Sequence, residues 1–409
     1  MLRINEERLR VRFKELSTIG ATSDGGVHRP AFSEPHLEAR RWFLEQARQA
    51  GLATQIDDAG NHSAVLQCES EEGPTLLLGS HLDSVPYGGR FDGALGVLAA
   101  LEVLQVVKEN NIPLKAHLEA IDFTDEEGRF VGLMGSQALT GRLREGQVTN
   151  TGGDIDDFKK ALTKAGLREE SLVSAGRDSE KIIGYLELHV EQGKRLFDQG
   201  ISIGVVTSIV GIRSFKVRFI GRADHAGTTA MNQRLDAAQG ASAFTLAVGD
   251  LVMKDFPGCV ATVGNMVFEP GAFNVVPQTV TVTLEFRAEK NDKLDNMENG
   301  LLAQASIAAE RFGLGVETEP LERADPVRMD GLCKKAIAKA CKELGLKITA
   351  VPSGAGHDAQ MLAQVCPAGM IFVPSVDGFS HSSREFTEWE DCVHGANVLL
   401  HTTLILAMN

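Results

Sequence analysis

The sequence predicts an α/β layered protein interrupted by a smaller α+β domain. Three observations carry this. Strand-like and helix-like segments alternate towards both ends of the chain. A middle stretch changes to half-exposed strands and amphipathic helices in the order β-α-β-β-α-β. The chain has 409 residues, too many for one compact core and suited to about two domains.

The elements follow in order. Leu9, Phe13 and Leu16 fall on one stripe and predict an N-terminal helix. A second helix is expected from about Glu34 to Ala50, stopped by Gly51. Thr75–Leu78 is a short apolar strand, Ala94–Lys108 an apolar helix, and His117–Phe123 another strand, followed by Asp125-Glu126-Glu127-Gly128. In the middle, Phe215–Ile220 alternates apolar and basic residues, as a half-exposed strand does. Leu235–Met253 is helical in pattern. Cys259–Phe268 and Val280–Arg287 read as strands, Asp292–Phe312 as a helix and Gly315–Glu319 as a strand. That order matches a ferredoxin-like sandwich and places an inserted domain at 208–322, within a first domain made of 1–207 and 323–409. The chain then returns to α/β, with a helix at Gly331–Leu344, a strand at Met370–Val373 and a last helix at about Trp389–Met408. No internal repeat or low-complexity tract is visible.

Composition narrows the function. The chain is 43% hydrophobic and 23% charged, as globular proteins are. Lys plus Arg number 41 against 55 Asp plus Glu, a formal charge of -14, which argues against a nucleic-acid partner. The six cysteines are scattered with no Cys-x-x-Cys pair, so neither a disulfide framework nor a thiolate zinc site is expected. The N-terminal stretch lacks the apolar core of a signal peptide, and polar residues interrupt every apolar run before membrane-spanning length. A cytoplasmic protein with no membrane partner is expected.

Four segments gather histidines and carboxylates after predicted strands, where open α/β sheets place ligands. In Gly79-Ser-His81-Leu-Asp83, His81 and Asp83 point the same way in an extended chain. The Asp83 carboxylate can then hold one ring nitrogen and leave the other for a metal. Asp92 follows in a glycine-rich loop and has two oxygens with which to bridge two ions. Glu126 and Glu127 are adjacent, which costs energy unless a cation or shared proton relieves them. One can bind metal while the other takes a proton from water. His189 in Glu187-Leu-His189-Val-Glu191-Gln192-Gly193 and His381 in Phe379-Ser-His381-Ser382 offer further imidazoles. Each segment alone has a plain reading: a structural histidine, a solvated acidic loop, a helix surface. Their conjunction in the α/β layer is what points to a metal site.

The segments GSHLDSVPYGGRFDGALGVLAALEV, DFTDEEG, YLELHVEQG, DHAGTT, FNVVP, SGAGHDAQ and GFSHS together resemble the hydantoinase/carbamoylase branch of the dinuclear metallopeptidase-like (M20-type) amidohydrolases, in order and over nearly the whole chain. The resemblance implies a metallo-exopeptidase-like α/β/α catalytic domain whose ferredoxin-like insert serves as lid and dimer surface. It implies two divalent ions per subunit, Zn, Mn, Co or Ni. His81, Asp92 and His189 would bind one ion, and Asp92, Glu127 and His381 the other. Glu126 would be the general base and Asp83 would orient His81. His225 would reach across a homodimer to the partner's oxyanion. Asn274 and Arg287 would grip the carboxylate of a small-molecule substrate, with Gln192, Gly356 and His357 lining the pocket. His225, Arg287 and Asn274 also have plain readings as surface and turn residues.

The chain departs from that family's pattern in places. The loop EEGRFVGLMGS after the Glu pair is about two residues short, Gln137 and Leu235 stand where Arg is common, Ala230 replaces Pro, and Ala288 replaces an acidic residue. None is a metal ligand; the outer substrate contacts are what they affect. The implied activity is hydrolysis of an N-carbamoyl-L-amino acid to the amino acid, ammonia and carbon dioxide. Allantoate amidohydrolase and β-ureidopropionase are the near alternatives, a metallo-exopeptidase a more distant one, and a catalytically dead scaffold a different class. All five ligands and Glu126 are present, against the last.

Overall fold

The computed structural model describes residues 1–408. The chain folds as two compact units, one of Met1–Thr207 with the stretch from Arg328 onward, the other of Ser208–Val327. Its strands are β1 (Ala53–Ile56), β2 (His62–Leu66), β3 (Thr75–His81), β4 (His117–Phe123), β5 (Ile182–Val190), β6 (Ile203–Ile209), β7 (Gly211–Ile220), β8 (Val260–Glu269), β9 (Thr279–Ala288), β10 (Gly315–Ala324), β11 (Val327–Arg328), β12 (Ile348–Ser353) and β13 (Ala368–Val373).

The first unit is built on a mixed sheet in the order β1-β2-β4-β3-β5-β13-β6-β11, with β12 on β6. Its centre is parallel: β4 with β3, β3 with β5 and β5 with β13. Consecutive residues of these strands are buried, for example Leu76, Leu77 and Leu78, because both faces are covered. The apolar run Ala94–Glu109 forms a nearly enclosed helix that packs on β3, β4 and β5, and helices Glu6–Thr18 and Trp389–Ala407 pack on it in turn. Glu102, its one interior charge, is fully buried and is met by Arg8 at 2.7 Å and Arg12 at 3.5 Å. A smaller core gathers Phe32, Phe130, Met134, Phe158 and Leu172.

The second unit is one antiparallel sheet in the order β10-β7-β9-β8, crossed by helices Ala237–Asp255 and Asn291–Phe312. This is the ferredoxin-like order read from the sequence. Along β9, Val280, Val282, Leu284, Phe286 and Ala288 are buried, and the residues between them are not. The strand expected to stop at Glu319 runs on to Ala324, held by pairing with β7 across a register shift at Pro320. His189, for which a helix surface was an open alternative, lies in β5 and is 1% exposed. All six cysteines are free, four of them buried. Among the described residues no helix is long and apolar enough to cross a membrane.

Candidate metal centre

The four metal-rich segments meet at the C-terminal ends of the parallel strands. His81 ends β3, Glu126 and Glu127 follow β4, His189 is next to last in β5, and His381 follows β13. The chain leaves β3 for β4 on one side and later returns to β5 on the other. A crevice therefore opens at the ends of β3 and β5, the usual ligand position in such sheets.

Backbone carbonyls set the ring orientations. His81 Nδ1 is 3.0 Å from the carbonyl of Asp83, and His189 Nδ1 is 2.8 Å from that of Val190. A carbonyl only accepts, so this network assigns the ring hydrogen to Nδ1 in both and leaves Nε2 with a lone pair. Those lone pairs face anions. His189 Nε2 is 3.0 Å from Asp92 Oδ1, and His81 Nε2 is 3.5 Å from the same oxygen and 3.5 Å from Glu126 Oε2. His381 Nε2 lies 3.5 Å from Asp92 Oδ2 and 3.6 Å from Glu127 Oε2. Lone pairs opposed at such distances repel unless a proton or a cation lies between them.

The electrostatics agree. Burial pushes the Glu126 and Glu127 carboxyls well above their usual range, reinforced by the neighbouring carboxylates and opposed by His81. Burial lowers the His81 imidazole, but Glu126, Asp92 and Asp83 outweigh it and hold it well above its ordinary value. The cluster is thus a crowd of acids and imidazoles competing for positive charge. Glu127 Oε1 is buried with no hydrogen-bond partner. The triples His81–Asp92–His189 and Asp92–Glu127–His381 each bring three donor atoms within 4.8 Å of one another. Nitrogen and oxygen donors in this arrangement fit divalent metal.

The comparisons with known proteins agree with this geometry. The model of peptidase family M20/M25/M40 matches residues 77–404, from β3 into the last helix. The chain belongs to that family. This M20-family chain is 37% identical over 406 residues to an N-carbamoyl-L-amino acid amidohydrolase of Geobacillus stearothermophilus, covering 99% of each. It is 33% identical to an allantoate amidohydrolase of Bacillus subtilis (strain 168), covering 94% of this chain and 93% of that one. A crystal structure of a hydantoinase/carbamoylase family amidase from Burkholderia multivorans superposes with a TM-score of 0.90 at 34% identity, covering 100% of this chain and 99% of that one. The resemblance to the hydantoinase/carbamoylase branch is borne out.

One part of the expected M20-family site is placed differently. The Asp83 carboxylate is 3.8 Å from His81 Nδ1, beyond hydrogen-bond reach, and the Asp83 carbonyl holds the ring instead. The chain leaves β3 at His81, so simple pleat alternation no longer governs Asp83. Its carboxylate accepts from the backbone N–H groups of Glu126 at 3.3 Å and Glu127 at 3.1 Å. Asp125, in the left-handed region at φ 53, accepts from Arg129, Phe130 and Val131 and so folds the short loop behind the pair. Gly93 opens the helix beside Asp92 at φ 62, and a Cβ there would stand 2.5 Å from the His81 ring.

Gln192 Nε2 donates to Asp92 Oδ2 at 2.9 Å and lies 3.3 Å from His381 Nε2. His357 is 1% exposed, with its ring centroid 4.5 Å from that of His189 and its Nε2 2.8 Å from Ser353 Oγ. It supports His189 from below and does not face open space. Gly356 is half-buried on the same turn.

Sequence reading missed Glu385 and Ser380. Glu385 accepts from the N–H of Phe91 at 2.9 Å and of Asp92 at 3.0 Å, and from Ser380 Oγ at 2.8 Å; Ser380 Oγ is also 3.1 Å from Asp92 Oδ2. The pair fixes the Asp92 loop and its carboxylate. Glu187 was read only as part of a motif. It is fully buried, accepting from Ser80 Oγ and the Ala359 N–H, and so ties β3 and β5 to the turn after His357. A cleft of about 440 Å³, lined in part by His28, Asp83, Glu127 and Arg129, adjoins the cluster.

In the second unit, His225 and Asn274 are neighbours. The β7–β9 pairing continues past Ile220 and Thr279 through Gly221–Gln278, Asp224–Val276 and Ala226–Asn274 backbone hydrogen bonds. His225 Nδ1 accepts from the N–H of Gly227 at 3.0 Å and of Thr228 at 3.2 Å, so its hydrogen sits on the exposed Nε2. Arg287 lies elsewhere. It is eight residues along β9 from Thr279, about 26 Å at about 3.3 Å per residue. Its Nε donates to Glu285 Oε1 at 2.8 Å.

Proposed function

We propose that this M20-family hydrolase cleaves the ureido C–N bond of an N-carbamoyl-L-amino acid with two divalent ions per chain, Zn, Mn, Co or Ni. The observation that carries the proposal is the pair of imidazoles whose Nε2 lone pairs converge on Asp92. His81, Asp92 and His189 would hold one ion, and Asp92, Glu127 and His381 the other. When bound, the ions make water more acidic and polarise the scissile carbonyl.

The chain's own residues do the rest. Glu126 Oε2 sits 3.5 Å from His81 Nε2 and joins His81 and Glu127 in a further donor group, and we assign it the proton rather than an ion. It takes a proton from the attacking water and passes it to the leaving nitrogen. The C–N bond breaks to give the amino acid and carbamate, which decomposes to ammonia and carbon dioxide. His225 donates its Nε2 hydrogen to the developing oxyanion. Gln192 keeps Asp92 turned towards the cluster.

We also propose a homodimer, with the second unit as lid and dimer surface and His225 serving the partner's site. Leu246 (73% exposed), Met253 (76%) and Ile307 (55%) on its two helices support this, since a buried interface would cover them. Asn274 travels with His225. Arg287 lies a strand length away on β9, so the carboxylate grip by Asn274 and Arg287 would be shared between the two chains.

The experiment is a substrate panel: N-carbamoyl-L-amino acids and their D forms, allantoate, β-ureidopropionate, ureidoglycolate and dipeptides, each with the four metals. The highest kcat/KM is expected for an N-carbamoyl-L-amino acid. A clear preference for allantoate or a dipeptide would overturn the substrate assignment while leaving the metal centre standing.

A further inference from the structure

A second cavity, of about 560 Å³, opens in the first unit between the N-terminal helix, the turn at 21–26, Arg90-Phe91 and the stretch from Phe386 to Trp389. None of the residues assigned to the metal centre lines it. Its floor is aromatic. Phe13 packs between Phe91, at 4.6 Å between ring centroids, and Trp389, at 5.8 Å, and Phe386 meets Phe91 edge-on at 5.9 Å. Phe386 is 40% exposed and therefore available to a ligand.

The rim is cationic. Arg10 lies over the Trp389 ring at 5.2 Å and Arg90 over Phe91 at 5.7 Å, and Lys14 stands on the helix face between turns of Arg10 and Ser17. No Asp or Glu lines the cavity, in a chain with 55 of them against 41 Lys and Arg. Glu6 reaches Arg10 at 3.0 Å, but among the described residues neither Lys14 nor Arg90 has an ion-pair partner. The indole N–H of Trp389 is buried with no hydrogen-bond partner. The wall hydroxyls are already committed: Ser17 donates to the carbonyl of Phe13, Thr18 to that of Glu15, Thr22 to the Asp24 carboxylate and Thr387 to the carbonyl of Pro374. The donors left over on the cavity surface are the cations.

Like charges gathered over rings repel one another unless an anion joins them, and the rings beneath offer apolar area. We propose that this cavity is a binding site for a small organic anion, a carboxylate or phosphate head on an aromatic body. The head pairs with Arg90 and Lys14 and the ring lies on Phe91, Phe386 and Trp389. A molecule bearing an ammonium group is excluded by the same cations. This site stands apart from the hydrolytic reading and does not depend on it.

The test uses the metal-loaded protein carrying Trp42→Phe, which leaves Trp389 as the sole tryptophan of the two. Trp389 emission is titrated with phenylacetate, phenyl phosphate, phenylacetamide and benzylamine. Phenylacetate or phenyl phosphate should give a saturable change, with Kd on the order of 1 mM for so few atoms. The tighter of the two identifies the head group. Benzylamine and the amide should give none. Lys14→Glu with Arg90→Glu should weaken binding at least tenfold, and Lys14→Gln with Arg90→Gln should do so if the reversal harms folding. No saturable response to either anion, an equal response to benzylamine, or unchanged affinity in a folded charge variant would each overturn the proposal.

Discussion

Asp83→Asn separates two accounts of the metal centre. In the structure the Asp83 carboxylate accepts the N–H groups of Glu126 and Glu127, and the Asp83 carbonyl holds His81. Asparagine keeps the shape and the carbonyl but has one acceptor oxygen in place of two. One of the two N–H groups would then face an amide NH2, donor against donor. Losing a hydrogen bond to a charged group costs about 1.5–3 kcal/mol, and leaving a buried N–H unmet costs about 1–3 kcal/mol. Relief of repulsion with nearby Asp125 and Glu126 offsets part of this, for a net loss of about 2–4 kcal/mol. Where the segment shifts to escape the clash, Glu126 and Glu127 move with it, and a displacement near 1 Å costs about 10²-fold in turnover. Unfolding midpoint, kcat and calorimetric metal titration should therefore report a less stable protein, slow turnover and a weakened ion on the Glu127 side, with the His81–His189 ion retained. If Asp83→Asn leaves stability and the Glu127-side ion untouched and weakens only the His81 side, the carboxylate orients the ring and this reasoning fails.

Glu126→Gln should lower kcat by about 10²–10⁴ with metal content little changed; loss of metal in Glu126→Gln but not in Glu127→Gln would reverse the two roles. Arg287→Lys should raise KM for an N-carbamoyl-L-amino acid, because Lys cannot make two parallel hydrogen bonds to a carboxylate. The loss should shrink for the substrate amide, and equal losses for acid and amide would remove Arg287 from carboxylate recognition. Mixing His225→Ala chains with Glu126→Gln chains should restore activity, since one hybrid site then holds both intact residues; no recovery despite proven subunit exchange would place His225 in its own chain.

Long elements were legible in the sequence because a core marks them. The helix Ala94–Glu109 and strands β3 and β9 show either apolar runs or strict alternation, each a direct print of two-sided or one-sided burial. The five-residue helices at 145–149 and 169–173 span little more than one turn, too short for any period to register. The metal-centre candidates were legible because their chemistry is written in residue type, and the strand ends bring them together. What was not legible depends on contacts between distant segments. Glu385 is 293 residues from the backbone N–H of Asp92, and nothing local distinguishes it from a surface acid. The direction of the Asp83 carboxylate was not legible because β3 ends at His81, two residues earlier, where the pleat no longer fixes it. Arg287 and Asn274 were read together from their roles, whereas strand length holds them apart.

The most direct test of the central claim is metal stoichiometry measured together with turnover. The protein is stripped by chelation, then titrated with Mn, Co, Ni or Zn while bound metal and hydrolysis of an N-carbamoyl-L-amino acid are followed. Two equivalents per chain are expected, with activity absent from the stripped protein and complete only after the second ion. His381→Ala, which removes a donor from one triple alone, should hold one equivalent and remain nearly inactive. Full turnover by rigorously metal-free protein, or by wild type holding a single ion, would contradict a dinuclear centre built on Asp92.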